Sequence, residues 1–263
     1  MDIFIIVAIA SYFCATLAIV SRLFHPSGPN MVLVLALGSI AIIFHTLGNT
    51  HLIYQNSEIN FSLPNVISLV SLVITLTVTA LATRFKLNLL IPVVYGFAGI
   101  WQIIMLFIPH LEQIPLRADK FILVSHITLA LIAYCVLTIA TLYAFQVSYI
   151  NYKLKSKNLS AVSHLPPLMQ VEHQLFNILA VGVLCLLASE LTGLFFLENF
   201  FAKERLHKTV LSIGALSLYC VILWGHHQKG WRGTKVLSLT VIASSLLTLS
   251  YFGSRFVKEF LLS

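Results

Sequence analysis

Unbroken runs of apolar residues, separated by short polar segments, organise this sequence. Eight runs stand out, near residues 3–20, 31–53, 63–83, 87–108, 121–149, 176–197, 209–224 and 236–256. A bilayer core of about 30 Å is crossed by about 20 helical residues, so each run predicts a transmembrane helix. Strands of a membrane barrel would alternate apolar and polar residues over short segments. These runs do not alternate, which leaves helices as the way to satisfy the backbone in lipid. The expected fold class is all-α, a polytopic transmembrane helix bundle of about eight spans forming one domain over residues 1–263. Asp2, not a basic stretch, precedes the first run and more spans follow it, so a retained helix is expected there and not a cleaved leader. The longest polar segment begins with Lys153, Lys155 and Lys157 and continues as LPPLMQVEHQLF. Pro166 and Pro167 predict the start of a short amphipathic piece on the membrane surface, leading into the sixth span.

Composition agrees with lipid as the main solvent. Hydrophobic residues make up 59% of the 263 and charged residues 10%, against about 25% charged in soluble domains. The net charge of +7 does not point to nucleic acid, because Lys and Arg sit mainly at span ends. With eight spans both termini share a side. The opposite side carries nine Lys and Arg, among them Lys153, Lys155, Lys157, Lys229, Arg232 and Lys235; the terminal side carries seven, together with seven acids. Basic residues gather on the cytoplasmic side, which places both termini outside. The four cysteines (Cys14, Cys135, Cys185, Cys220) lie in apolar runs and read as small packing residues. Without a CxxCH the chain has no attachment point for covalent haem.

Ionisable groups inside a span are expensive and mark functional candidates. His45 lies near the middle of the second run, with Gly38, Ala41 and Gly48 on its helical face, small residues that let a neighbouring helix approach. His126 opens the fifth run, and Ala130, Ala133, Tyr134 and Thr141 continue its face. Inward-facing histidines from different helices can build a cofactor site, and neutral imidazole is a common axial ligand of haem. Each can equally be a neutral imidazole bonded to a carbonyl or hydroxyl. His226 and His227 end the seventh run, followed by Gly230-Trp231-Arg232-Gly233. One reading is a positive-inside turn with an interfacial tryptophan; the other is a ligand histidine at the rim, with Lys229 or Arg232 facing an anionic group such as a haem propionate. Glu190 reads as a proton-relay group or histidine partner, or as a carboxyl group bonded to a nearby serine or threonine. No nucleophile–base–acid set, carboxylate pair or HxxxH pair within a span can be assembled, so neither an enzyme nor a metal transporter is favoured.

The ordered set of a mid-membrane His45, SHITLALIAY (125–134), a basic loop, LPPLMQVEHQLF, LTGLFF, Lys208, HHQKGWRG and SYFGSR resembles the cytochrome c assembly protein superfamily of haem handlers, the CcsA, CcmC and HemX type. The resemblance covers nearly the whole chain for one inner-membrane branch, and is strongest to the catalytic haem handlers from about Phe121 onward. It implies non-covalent haem b. His45 matches the first transmembrane histidine, His126 the first external one with its tyrosine eight residues on (Tyr134), and His226 or His227 the second transmembrane histidine. Trp231 and Arg232 lie beside that histidine as cofactor-binding candidates, and Lys208 resembles the lysine after the tryptophan-rich WWD loop. Two departures stand out. Where the family has the WWD loop this chain reads LENFFAKERLHK, with no tryptophan and only Phe200 and Phe201 as aromatics, and it ends at Ser263 where haem-handling members continue to a second external histidine.

The leading expectation is a non-enzymatic membrane protein that binds or moves haem, with His45 and His126 as iron ligands. A cofactor-free accessory subunit that binds another inner-membrane protein is the alternative. A metal or ion transporter using Glu190 and the histidines is the third.

Overall fold

The computed structural model describes residues 2–23, 25, 28–55, 58–59, 62–108, 121–157, 165–196 and 206–253. Eight helices follow one another: α1 (Asp2–Val20), α2 (Met31–Ile53), α3 (Leu63–Ala82), α4 (Leu90–Phe107), α5 (Phe121–Lys155), α6 (Leu168–Phe196), α7 (Leu206–Lys229) and α8 (Thr234–Thr248). All eight are long and apolar enough to cross a membrane, α8 together with the π-helical turn Leu249–Gly253 that prolongs it. The all-α transmembrane class is therefore the observed one. Among the described residues its single addition is a two-residue antiparallel pairing after α2, β1 (Tyr54–Gln55) with β2 (Glu58–Ile59).

Helix ends differ from the sequence expectation where helices outrun the bilayer. The 35 residues of α5 make a rod of about 52 Å, well beyond a hydrocarbon core of about 30 Å. Among the described residues no separate surface segment precedes the sixth span. The LMQVEHQLF stretch is the first turns of α6, and the Pro167 carbonyl accepts the first helical bonds, from Gln170 and Val171. The two prolines start this helix, and no further proline follows them before Phe196. Val171, Glu172 and Leu175 are buried, so the segment packs on protein instead of lying on lipid. Helix α7 likewise continues past Gly225, so that His226 and His227 belong to its last turn.

The chain divides into two compact units, residues 1–117 with 159–166, and residues 118–158 with 167–263. In the first, α1 packs on α2 and α4, and α3 on α2 and α4, a square of four helices. The second repeats the arrangement, with α5 on α6 and α8, and α7 on α6 and α8. Both squares bury polar side chains among apolar ones and turn large apolar side chains outward. Val32, Phe107 and Phe195 are exposed, while Tyr12, His45, Ser68, Gln102, Gln146 and Ser189 are buried. Lipid accepts the outward apolar side chains, and close approach comes from small residues. Gly38 lies under the Tyr95 ring, and Gly182 of α6 faces Leu137 and Val136 of α5.

Candidate functional site

In the first unit His45 is the centre of a closed polar cluster fed by all four helices. Its exposure is 1%. The Nδ1 atom lies 3.0 Å from the Tyr12 hydroxyl of α1. Nε2 lies 3.0 Å from Ser68 Oγ of α3 and 2.6 Å from Gln102 Nε2 of α4. Gln102 also donates to Ser68 Oγ at 2.9 Å, and Ser68 donates to Asn49 Oδ1 at 2.7 Å. Beyond Tyr12, the Thr75 hydroxyl sits at 3.3 Å and itself donates to the Leu72 carbonyl. One turn on, Thr79 bonds the Tyr95 hydroxyl at 2.7 Å, and the Tyr95 and Tyr12 rings are in contact. Buried polar groups are costly without partners, which is why these residues converge. Sequence reasoning found His45 and the small residues of its face but missed Tyr12, Asn49, Ser68, Thr75 and Gln102. The available signal was Ser68, Ser71, Thr75 and Thr79 at spacings of three and four along an otherwise apolar run.

In the second unit His126 stands at one end of the helix square, half-buried. Its Nδ1 lies 3.0 Å from the Ser189 carbonyl and 3.3 Å from Thr192 Oγ1, both on α6. A carbonyl can only accept, so Nδ1 carries the proton and Nε2 carries the lone pair. The same end collects Glu190, hydrogen-bonded to Ser212 of α7, and Ser250, which donates to the Lys208 carbonyl at 2.8 Å. Tyr134 lies further along the His126 face. Its hydroxyl meets Thr248 at 3.1 Å, and its ring packs against Tyr251 and Phe252 of the π turn. The YFG segment is thus the aromatic partner of that tyrosine, in the kind of helix irregularity often found at functional sites.

The opposite end of the second unit holds the HHQKGWRG turn. Gly230 and Gly233 both adopt φ +63°, a conformation glycine enters without a Cβ penalty. The chain folds back so that Trp231 covers Gly225 and its carbonyl accepts from His226 Nδ1 at 3.1 Å. The His226 ring stacks on Phe176, centroids 3.4 Å apart. Arg232 pairs with the buried Glu172 at 3.4 Å, and Lys235 lies over Trp231. His227 is exposed. Most of the residues singled out here from the sequence are therefore engaged in holding the turn.

These placements bear on haem b. Iron needs an imidazole nitrogen with a free lone pair, oriented by a bond to the other nitrogen. His126 fits that description, and so does His226. His45 does not fit, because both of its nitrogens are held by protein groups. Nor can His126 and His226 share one iron. Their contacts on α6, Ser189 and Phe176, are 13 residues apart in sequence, about 20 Å along the helix axis. Among the described residues no group of three His, Cys, Asp or Glu converges as a metal cluster. Phe200 and Phe201 lie outside the described residues.

Comparison with known proteins gives a consistent picture. A family described as "Cytochrome C assembly protein" matches residues 33–262. The chain is 39% identical to the "Inner membrane protein YpjD" of Escherichia coli strain K12, over 98% of this chain and 99% of that one. It is 31% identical to an "Uncharacterized 28.8 kDa protein in nifR3-like 5'region" of Azospirillum brasilense, over 52% of each chain. No solved structure matches it.

Proposed function

The chain belongs to the cytochrome c assembly protein family, and on that footing we propose that it is a non-enzymatic haem-handling protein of the bacterial inner membrane, binding haem b without covalent attachment at the His126 end of its second unit. The observation that carries this reading is the imidazole itself. The Ser189 carbonyl holds the Nδ1 proton of His126 at 3.0 Å, which leaves Nε2 as an oriented donor to iron. Thr192 Oγ1 lies beside the same nitrogen and limits ring rotation. Glu190 and the aromatic group of Tyr134, Tyr251 and Phe252 line the bundle behind it. Bound haem would supply the redox-active iron; the protein's part is to ligate and orient it near the membrane surface. With the basic rim of Lys153, Lys155, Lys229 and Lys235 facing the cytoplasm, both termini and the His126 end face the periplasm.

The test is a reduced-minus-oxidised visible spectrum of detergent-purified, haem-supplemented protein. A b-type spectrum that His126→Ala abolishes and His45→Ala retains is the expected result. Loss in His45→Ala alone would move the ligand to the first unit. The absence of tryptophan from LENFFAKERLHK favours a second reading, an accessory subunit that binds another inner-membrane protein without cofactor. No haem in any sample, together with a partner that copurifies equally well with the histidine variants, would establish it.

A further inference from the structure

The end of the second unit that carries the HHQKGWRG turn concentrates positive charge. Lys153 and Lys155 close α5 and Lys157 follows them, Lys229 closes α7, and Lys235 stands in the first turn of α8. The turn and the end of α5 lie side by side, because a Cβ at Gly233 would come within 3.2 Å of Asn151 Nδ2. Lys235 is two residues beyond that glycine, and Lys153 is two beyond that asparagine. Among the described residues the acid of this end is Glu172, buried and already paired with Arg232. Residues 158–164, which continue the loop after α5, contain no acid in their sequence. Five lysines are thus left without a carboxylate partner. Like charges held together are unfavourable, a cost that an anion placed among them removes.

Aromatic rings set the depth of these charges. Lys229 Nζ lies 4.9 Å from the centroid of Trp224, which is five residues back along α7 toward the middle of the span. Lys153 Nζ lies 5.7 Å from the centroid of Tyr149, one turn back along α5, and 5.9 Å from that of Tyr152. Lys235 Nζ lies 3.6 Å from the centroid of Trp231, a ring that is itself tucked against Gly225. Each of these ammonium groups is drawn over an aromatic face instead of reaching out into water. Tryptophan and tyrosine rings settle at the headgroup level of a bilayer, so the lysines are held at the depth of the lipid phosphates. Beside them Tyr152, Val221 and Trp224 are exposed, an apolar flank on which the glycerol backbone and upper acyl chains of a lipid can rest. A nucleic acid or an acidic protein docking from water would use neither the depth of the rings nor that flank. The chemistry selects the phosphodiester of an anionic phospholipid, to which a lysine ammonium offers a compact point charge.

We propose that this end of the second unit is a binding surface for anionic phospholipid headgroups, with Lys153, Lys229 and Lys235 as the phosphate contacts and Tyr152 and Trp224 as the flank for the lipid chains. It stands apart from the haem reading, since His126 lies at the other end of the unit. The experiment is native mass spectrometry of the full-length protein in a neutral detergent, after incubation with equal amounts of phosphatidylglycerol and phosphatidylcholine. Retention of phosphatidylglycerol well above that of phosphatidylcholine is expected. A lysine near an anionic surface contributes about a factor of five in binding. The double variant Lys229→Gln/Lys235→Gln should therefore weaken phosphatidylglycerol retention about 25-fold. The double variant Lys229→Arg/Lys235→Arg should keep it, so that retention follows the charge and not the fold. Equal retention of the two lipids by the wild-type protein would overturn the proposal, as would undiminished phosphatidylglycerol retention in the glutamine variant. A glutamine variant that keeps phosphatidylglycerol but loses a copurifying acidic protein would overturn it in favour of that protein.

Discussion

Glu172 illustrates how the membrane rim handles a buried charge. It is 6% exposed, in the first turns of α6, and the half-exposed Arg232 guanidinium is its ion-pair partner at 3.4 Å. Cutting the arginine away leaves a carboxylate with no counter-charge, and an unpaired buried group is worse than none. Arg232→Ala should therefore lower stability by about 1–3 kcal/mol, read as a shift of the thermal unfolding midpoint in detergent. Adding Glu172→Leu to it should restore part of the loss, and the double-mutant cycle should show coupling. Additive losses would mean that Arg232 works through its contact with Met169. At this scale the sequence was legible only in part. His45 and His126 are conspicuous because charge-capable groups are rare in apolar runs. Their partners are not, since Ser68 and Gln102 reach His45 from 23 and 57 residues away in sequence and a hydroxyl or amide in a long apolar run carries no label. The Ser189 carbonyl that orients His126 is backbone, and no side-chain pattern reports it.

Helices were the most legible elements, because a lipid solvent demands long apolar runs and a satisfied backbone. Their ends were less so. Helix α5 continues past its apolar stretch and α6 begins before its own, so that Lys153 and Glu172 are as helical as the apolar residues beside them, and only packing decides such extensions. Glycines separate the roles of the connections from those of the helix bodies. Gly230 has φ +63° with open space around it, so Gly230→Ala meets only the backbone penalty of about 1–2 kcal/mol. Gly182 sits helical against Leu137, and Gly182→Leu would overpack the α5–α6 contact, costing about 1–3 kcal/mol or more. Gly214 lies mid-helix in α7 with nothing near its missing Cβ, so Gly214→Ala should raise stability by up to about 1 kcal/mol. Thermal melts of the three variants should rank them in that opposed order. Destabilisation by Gly214→Ala would show that a neighbour or ligand uses the groove over that glycine.

At the scale of the whole molecule the two helix squares share one neighbour order, yet their interiors do different chemistry. One is closed around His45, and the other presents His126 at its end with a free imidazole nitrogen. Orientation decides what that end can reach. Over the whole chain the side that carries the His226 end holds nine Lys and Arg and the side that carries the His126 end holds seven, together with seven acids; on that balance the His226 end is proposed to face the cytoplasm. Ser125 is exposed beside His126, and Lys229 is exposed at the close of α7. In a background with Cys14, Cys135, Cys185 and Cys220 replaced by alanine, Ser125→Cys should react with a membrane-impermeant maleimide on intact spheroplasts. Lys229→Cys should react only after permeabilisation. That pattern would set His126 facing the compartment where cytochromes c receive haem. The reverse pattern would turn the same imidazole toward the cytoplasm, where a protein handling haem could only take it up, not present it.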